Sequence, residues 1–190
     1  MPEIHRTLAG LWLCALMLLT PGLLKAEVPV PALTAQVVDS TGTLSNEQQA
    51  ALIQKLQAFE AAKGSQIAVL LVQTTQAEPI EQYALRVAES WKIGRKGVDD
   101  GAILVVALQD RALRIEVGYG LEGALTDITS KRIIEEVIIP QFRQGDVAGG
   151  VAAGVDQMIR VIEGEPLPEP SPANTSNGSN TIEDIAPVVF

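Results

Sequence analysis

Apolar residues recur along the chain with two different periods, one typical of strands and one typical of helices. Residues 102–108 form an unbroken apolar run, too short for a helix of usual length, which indicates a strand buried on both faces. After a polar link at 109–111, residues 112–117 alternate between apolar and charged, which indicates a strand with one buried face. The short link predicts an antiparallel pair. Loops 97–101 and 118–123 should then lie side by side, and any functional site is expected there.

The other segments predict a sheet with helices on both faces. Strands are predicted at 36–39 and 66–73. Helices are predicted from the capping box at Ser45 to Gly64, from Pro79 to about Gly94, from a cap at Asp127 or Thr129 to a break at Pro140, and after a cap at Asp146. The order is βαβαββαα. Because strands separated by a helix run parallel, the fold class is α/β, a three-layer α/β/α sandwich with a mixed four-stranded sheet.

Both ends of the chain differ in composition from the segment between them. Residues 1–26 predict a signal peptide, since Arg6 precedes an apolar stretch and Ala26 offers a small residue for cleavage. Leu24 is larger than ideal at its position, so an uncleaved anchor is left open. Residues 164–190 are rich in Pro, Ser and Asn and predict a disordered tail. It ends in an apolar tip at 186–190, either the start of a missing membrane span or a peptide bound by a partner.

Charge and composition exclude several kinds of chemistry. The net charge of −9 argues against nucleic acid as a partner. The only cysteine and the only histidine, Cys14 and His5, lie in the predicted signal peptide. The mature chain would therefore lack a thiol nucleophile, a Ser-His-Asp triad and a zinc site built from nitrogen and sulfur. A metal would have to be held by oxygen ligands, which indicates calcium or magnesium.

A cation site is predicted where the two loops meet. Asp99 and Asp100 precede the first hairpin strand, and the hairpin should bring Glu122 and Asp127 near them. Adjacent residues of a strand point in opposite directions, so at most one of the two aspartates should face inward. Three or four carboxylates could surround one calcium or magnesium ion. The alternative is a solvated acidic turn.

Basic residues near these loops are candidates for binding an anion such as phosphate. Arg95 and Lys96 lie close to the aspartates, whereas Arg111 is expected at the opposite end of the hairpin. The segment 118–123 contains Gly-x-Gly-x-x-Gly, the spacing of dinucleotide-binding loops. Since it follows an antiparallel strand and no parallel strand completes the unit, a nucleotide cofactor is rejected and tight turns are expected instead. Trp91 lies on an apolar helix stripe and is expected in the core.

Several short motifs together resemble the TPM domain family, found in secreted, periplasmic and thylakoid-lumen proteins. The matching residues are Val38-Asp39, Gly42 and Leu44-Ser45; Trp91-Lys92-Ile93-Gly94; Asp99-Asp100-Gly101; Asp110-Arg111; Val117 to Glu122; and Ile139-Pro140-x-Phe142-x-x-Gly145-Asp146 followed by Gly150 and Gly154. The resemblance covers residues 34–163. It implies an α/β/α sandwich and an extracytoplasmic location. Members have been linked to phosphatase activity, photosystem repair and assistance to membrane receptors.

The leading functional prediction is a non-enzymatic domain, periplasmic or extracellular after secretion across the inner membrane. It would bind a divalent cation and a membrane-associated or periplasmic protein, and assist the assembly or maintenance of membrane proteins. The alternative is a metal-assisted acid phosphatase for phosphate monoesters, with Asp99 and Asp100 holding the metal and Arg95 binding the phosphate. A phosphoryl-aspartate at Asp39 or Asp99 is the covalent route left open. A purely structural domain without an ion is the third possibility.

Overall fold

The computed structural model describes residues 27–164, which form one four-stranded sheet with helices on both faces. The strands are β1 (Val37–Asp39), β2 (Gln66–Val72), β3 (Gly101–Ala107) and β4 (Ala112–Val117), and they lie in this order across the sheet. The first three run parallel, and β4 runs antiparallel to β3. The predicted mixed sheet and the predicted order of elements are confirmed. The predictions for residues 1–26 and for 165–190 lie outside the described residues.

Five α-helices are described in this range. They are α1 (Asn46–Lys63), α2 (Ile80–Trp91), α3 (Asp127–Arg132), α4 (Ile139–Arg143) and α5 (Val147–Ile162). A 3₁₀ turn at Tyr119–Leu121 follows β4, and a π-helical segment at Ile133–Ile138 joins α3 to α4.

Most helix ends follow the predicted capping chemistry. The Ser45 hydroxyl accepts a hydrogen bond from the Gln48 backbone, and the Gln48 side chain accepts one from the Ser45 backbone, as expected of a capping box. The Asp146 side chain caps α5. The cap of α3 is Thr126, so the prediction of Asp127 or Thr129 is wrong. Asp127 instead occupies the first turn, where a negative charge is favourable beside the free backbone N–H groups.

The predicted break at Pro140 is also wrong, because the helical path runs from Asp127 to Arg143 without interruption. Just before the proline, the Ile139 N–H donates to the carbonyl of Ile134, five residues earlier. This π-helical pattern makes Pro140 part of the first turn of α4, where its missing N–H is not needed. The local change of hydrogen-bond pattern therefore accommodates the proline.

The two faces of the sheet carry separate apolar cores. The front face, defined by Val69, Leu104 and Ile115, packs against α1, the π-helical segment and α5. The back face, defined by Leu70 and Val105, packs against α2 and the segment before β1. Every residue of β3 is buried, as predicted for a strand covered on both sides. The α/β/α sandwich is thus confirmed.

The two parallel crossovers have opposite hands. The strands β1, β2 and β3 advance in one direction across the sheet, yet α1 lies on the front face and α2 on the back face. Two crossovers that advance the same way on opposite faces cannot both be right-handed. One of them therefore has the rare left-handed sense.

The segment that precedes β1 is strapped along α2. The carbonyls of Val28, Pro29 and Pro31 accept hydrogen bonds from Arg86, Tyr83 and Trp91 respectively, at 2.8, 3.3 and 2.7 Å. The side chains of Val28 and Val30 pack against the back core. This strap lies before residue 34, where the resemblance begins, and it belongs to the folded body.

Candidate functional site

The two predicted loops lie side by side at the end of the sheet where the parallel strands begin. The Gly118 N–H donates to the Gly101 carbonyl at 2.8 Å, and the Gly120 N–H donates to the Asp99 carbonyl at 3.1 Å. A Cβ atom added at Gly118 or Gly120 would lie closer than 3.0 Å to a backbone carbonyl oxygen of the other loop. Gly118 and Gly120 thus serve close backbone packing, whereas Gly123 has open space around it, and the preceding strand is antiparallel to its neighbour.

Asp100 is the buried aspartate of the pair and is fully engaged by its neighbours. The residue is 2% exposed. Its Oδ1 accepts from the Arg95 backbone N–H at 2.8 Å. Its Oδ2 accepts from the Arg95 guanidinium at 2.6 and 2.9 Å and from the Ser65 hydroxyl at 3.2 Å. The carboxylate therefore ties the end of α1 and the loop after α2 to the start of β3.

The charge on Asp100 is stabilised by these donors. Burial alone would raise the pKa of the carboxyl group, but the hydrogen bonds from Arg95 and Ser65 outweigh burial and lower that pKa below its usual value. The same pairing raises the pKa of Arg95, through hydrogen bonding to Asp100 and the charge of Asp100. Asp100 is thus held as an anion that neutralises Arg95.

The other predicted metal ligands lie on the surface. Asp99 is exposed and has a left-handed backbone conformation, with φ of 55°. Glu122 and Asp127 are exposed as well. Within residues 27–164 no group of three or more acidic, histidine or cysteine side chains is arranged to hold a metal ion. The structure therefore does not gather the four predicted carboxylates into one cluster, and Asp100 turns inward while Asp99 turns outward.

The predicted anion-binding residues also separate into different roles. The Arg95 side chain is 55% exposed, but its guanidinium is paired with Asp100. Lys96 is exposed and lines a groove. Arg111 lies in the β3–β4 turn, at the opposite end of the hairpin from Asp99, as predicted. Trp91 is 8% exposed and belongs to the back core, as predicted.

A groove of about 590 Å³ runs between α2 and β4, beside the paired loops. Its apolar lining includes Leu85, Ile93, Ile103 and Val117. Its charged lining includes Glu89, Lys92, Lys96, Asp99 and Glu116. An apolar floor with charges of both signs around it is suited to an amphipathic ligand such as a peptide segment.

Leu85 lines the groove, and two further exposed apolar residues, Val98 and Tyr119, are chain neighbours of the lining residues Asp99 and Gly118. Tyr119 is 81% exposed on the 3₁₀ turn, Leu85 is 50% exposed on α2, and Val98 is 45% exposed on the loop before β3. The Gly120 backbone packs against the Val98 carbonyl, which brings the turn that carries Tyr119 beside Val98. The sequence analysis missed these residues. The signal that could have found Tyr119 is an aromatic residue between two glycines in the loop after the second hairpin strand.

At the opposite end of the sheet, where the parallel strands end, aspartate side chains hold the loops in place. The Asp110 carboxylate accepts from the Thr74 hydroxyl at 2.8 Å and from the Thr75 backbone N–H at 2.6 Å. The Asp39 carboxylate accepts from the backbone N–H groups of Thr41 and Leu44, both at 2.8 Å. Both aspartates thus close turns at the carboxyl ends of the strands.

The TPM domain model matches residues 37–161. The chain therefore belongs to the TPM domain family, and this family is of uncertain function. A comparison with curated proteins found no match.

Solved structures with the same fold include three bacterial proteins. The N-terminal domain of a P. gingivalis protein, solved by NMR, is 35% identical with a TM-score of 0.66, covering 71% of this chain and 89% of that one. BA42 from the psychrophilic Bizionia argentinensis is 21% identical with a TM-score of 0.56, covering 64% and 82%. The N-terminal domain of cg2496 from Corynebacterium glutamicum is 18% identical with a TM-score of 0.53, covering 85% and 94%. The latter two show similarity of fold alone.

Among the helices in residues 27–164, none combines the length and the apolar character that crossing a membrane requires.

Proposed function

We propose that this protein is an extracytoplasmic binding domain that assists the assembly or maintenance of membrane proteins. The observation that carries the proposal is the groove between α2 and β4, with exposed Leu85 in its lining and exposed Val98 and Tyr119 on the loops that border it. Large apolar side chains that remain in water next to a concave apolar surface are typical of a protein-binding site. The partner is a membrane-associated or periplasmic protein that presents a segment with apolar and charged residues.

Binding of calcium or magnesium by exposed carboxylates at Asp99 and its neighbours is part of this proposal, although residues 27–164 contain no cluster of three such ligands. Of the four predicted ligands, Asp99, Glu122 and Asp127 are exposed and accessible to an ion. Asp100 instead supports the site, because its carboxylate is occupied by Arg95 and Ser65. The alternative function of a metal-assisted acid phosphatase would depend on the same exposed carboxylates, with Lys96 as the accessible cation.

The test of partner binding is site-specific photo-crosslinking in cells that produce the protein. A photoreactive amino acid replaces Tyr119 in one strain and Gln57 in another, since Gln57 is exposed on α1 on the other side of the sheet. We expect a discrete crosslinked membrane or periplasmic protein at position 119 and none at 57. Val98→Ser should reduce the yield at 119. Equal crosslinking at both positions, or none at 119, would contradict the proposal.

The test of cation binding compares calcium and magnesium titrations of the protein and of Asp99→Asn, followed by thermal melting. A ligand at a hundred times its dissociation constant stabilises the fold by about 2.7 kcal/mol, which shifts the melt measurably. We expect a saturable shift that is lost in Asp99→Asn. The same variant tests the phosphatase alternative better than Asp100→Asn, because loss of the Asp100 charge would disturb the fold itself. A flat response to both ions removes the cation and the metal-dependent enzyme together.

A further inference from the structure

A second cleft, which shares Ile93 with the groove, lies where β2 extends beyond β1. The strand β2 begins at Gln66, but the first residue of β1, Val37, pairs with Val69. The first three residues of β2 therefore have no neighbour in β1, because the chain bends at 34–36 instead of continuing the strand. The space left open there is a cleft of about 320 Å³.

The cleft combines apolar walls with one carboxylate. Its apolar lining comes from the segment before β1, from β2 and from the loop after α2, and it consists of Leu33, Ala35, Ile67, Ala68 and Ile93. Among the described residues that line the cleft, Glu60 near the end of α1 is the one with a charge. The cleft therefore offers a single negative charge next to apolar surface.

Two glutamine amides hold the Glu60 carboxylate at the cleft. The Gln66 Nε2 donates to Glu60 Oε1 at 2.7 Å, and the Gln36 Nε2 donates to Glu60 Oε2 at 3.4 Å. The Gly94 N–H donates to the Gln66 Oε1 at 2.6 Å, which fixes the orientation of that amide. Because a carboxylate has about four acceptor positions, each oxygen of Glu60 can accept a further hydrogen bond. The carboxylate is thus held in place without being saturated.

No basic side chain within residues 27–164 forms an ion pair with Glu60. Lys63, one helical turn further along α1, is paired with Glu163 instead. Glu60 is half-buried, and both of its donors are neutral amides. Taking a carboxylate partly out of water costs free energy, and an incoming cation would offset that cost.

We propose that this cleft binds an alkylammonium group, with the ammonium at Glu60 and the alkyl chain against Leu33 and Ile93. An ammonium group donates three hydrogen bonds, and those to a carboxylate are strengthened by charge. The alkyl chain is stabilised by contact with the apolar walls. A divalent metal ion fits less well, because calcium takes about six to eight oxygen ligands and one carboxylate lines the cleft.

The ammonium group can come from the lysine side chain of a partner protein or from a free amine. Ile93 lines the cleft and the groove alike, so a protein segment in the groove could place a lysine in the cleft. The cleft itself is complete without such a partner. Its test therefore needs no partner protein, and its failure would leave the proposed function of the groove standing.

The experiment titrates the isotope-labelled protein with n-butylammonium chloride and follows the backbone amides by NMR. We expect saturable shifts at Ile67, Ala68 and Gly94, with a dissociation constant of about 1 mM. n-Butanol has the same alkyl chain without the charge and should bind at least about tenfold more weakly. Equal binding of the two compounds, or a response to n-butylammonium that is still linear at about 10 mM, overturns the proposal.

Nα-acetyl-lysine methylamide distinguishes the two sources of the ammonium group, because it reproduces a lysine within a chain. If a partner's lysine is the natural ligand, this compound should bind at least about threefold more tightly than n-butylammonium, since its amide groups add contacts at the rim of the cleft. Tighter binding of n-butylammonium assigns the cleft to a free amine. Both results support the binding of an alkylammonium group.

Two variants of the cleft and one control complete the test. Glu60→Gln removes the charge, and Ala35→Leu fills the cleft while leaving Glu60 in place; each should weaken n-butylammonium binding at least about tenfold. Glu81→Gln changes the net charge equally on the first turn of α2, outside the cleft, and should bind as the unaltered protein does. Circular dichroism melts verify that each variant is folded. Unchanged binding in folded Glu60→Gln and Ala35→Leu overturns the proposal.

Discussion

At the scale of single residues, two adjacent aspartates have different roles: one is buried and holds the loop, and the other is exposed on its surface. Asp100 is buried and accepts hydrogen bonds from three donor groups of Arg95 and from Ser65, whereas Asp99 is exposed on the outer side of the same loop. A carboxylate with this many donors organises the surrounding backbone. The loop that borders the groove is therefore held in place by Asp100 and presents Asp99.

Replacing these residues one at a time should give very different stabilities. Asp100→Asn removes the charge that pairs with Arg95 and should lower the free energy of unfolding by about 2 to 4 kcal/mol. Asp99→Asn should change it by no more than about 0.5 kcal/mol, since the side chain is exposed and asparagine tolerates a left-handed backbone. Urea denaturation followed by circular dichroism measures both. Equal losses in the two variants would contradict the assigned roles.

The lowered pKa of Asp100 also predicts how stability depends on pH. Burial raises the pKa of Asp100 and of Asp39, but hydrogen bonds to each carboxylate outweigh burial and hold the folded-state pKa below the ordinary value of 3.8. The stabilisation is therefore complete above the ordinary pKa and is lost as pH falls from about 4 toward the folded-state pKa. The difference in Tm between the protein and Asp100→Asn should be constant near neutral pH and should shrink below about pH 4. A difference that grows with acidification would contradict this assignment.

At the scale of elements, periodicity and capping chemistry predict the strands and helices, and tertiary context decides the details. Ser45, Gly64 and Asp146 act as caps because their local chemistry suffices for that role. Pro140 was expected to end a helix, but a preceding change in hydrogen-bond pattern accommodates it. Such a change depends on packing of the π-helical segment against the sheet, and a sequence pattern does not reveal it.

The candidate site, too, was predictable where local geometry decides and unpredictable where tertiary packing decides. The antiparallel hairpin predicts correctly that loops 97–101 and 118–123 meet, because that follows from pairing geometry alone. Which of the two aspartates faces inward depends on the position that Arg95 takes after α2. The groove depends on the distance between α2 and β4. Both depend on how the elements pack in three dimensions. The sequence therefore predicts which loops form the site, but it does not predict the groove beside them.

The close packing of the two loops gives a test with an internal control. A side chain at Gly118 would meet the Asp99 carbonyl, so Gly118→Ala should push the loops apart and lower the free energy of unfolding by at least about 1 kcal/mol. Gly123 lies in the same segment with open space around it, and Gly123→Ala should stay within about 0.5 kcal/mol of the unaltered protein. Thermal and urea melts compare them. Similar effects at both glycines would show that the loop contact contributes little.

At the scale of the whole molecule, the last helix stabilises the fold chiefly through its apolar face. Met158 on α5 is fully buried in the front core, and Met158→Ala should lower the free energy of unfolding by about 2 to 5 kcal/mol. Asp156, two residues earlier, pairs with Lys55 of α1 on the surface, with about two fifths of each side chain exposed. Asp156→Ala should therefore cost no more than about 1 kcal/mol. Urea denaturation of both variants checks the order, and the reverse order would contradict it.

The placement of helices on the two faces also determines the order in which a growing chain can bury the two apolar faces of its sheet. The back face receives α2 before β3 and β4 are made, whereas the π-helical segment and α5, which complete the front core, follow β4. A chain that emerges N-terminus first therefore presents the bare front sides of β3 and β4 until its final helix arrives. This interval is the aggregation-prone stage of its biogenesis, and it is the stage at which a holdase chaperone would act.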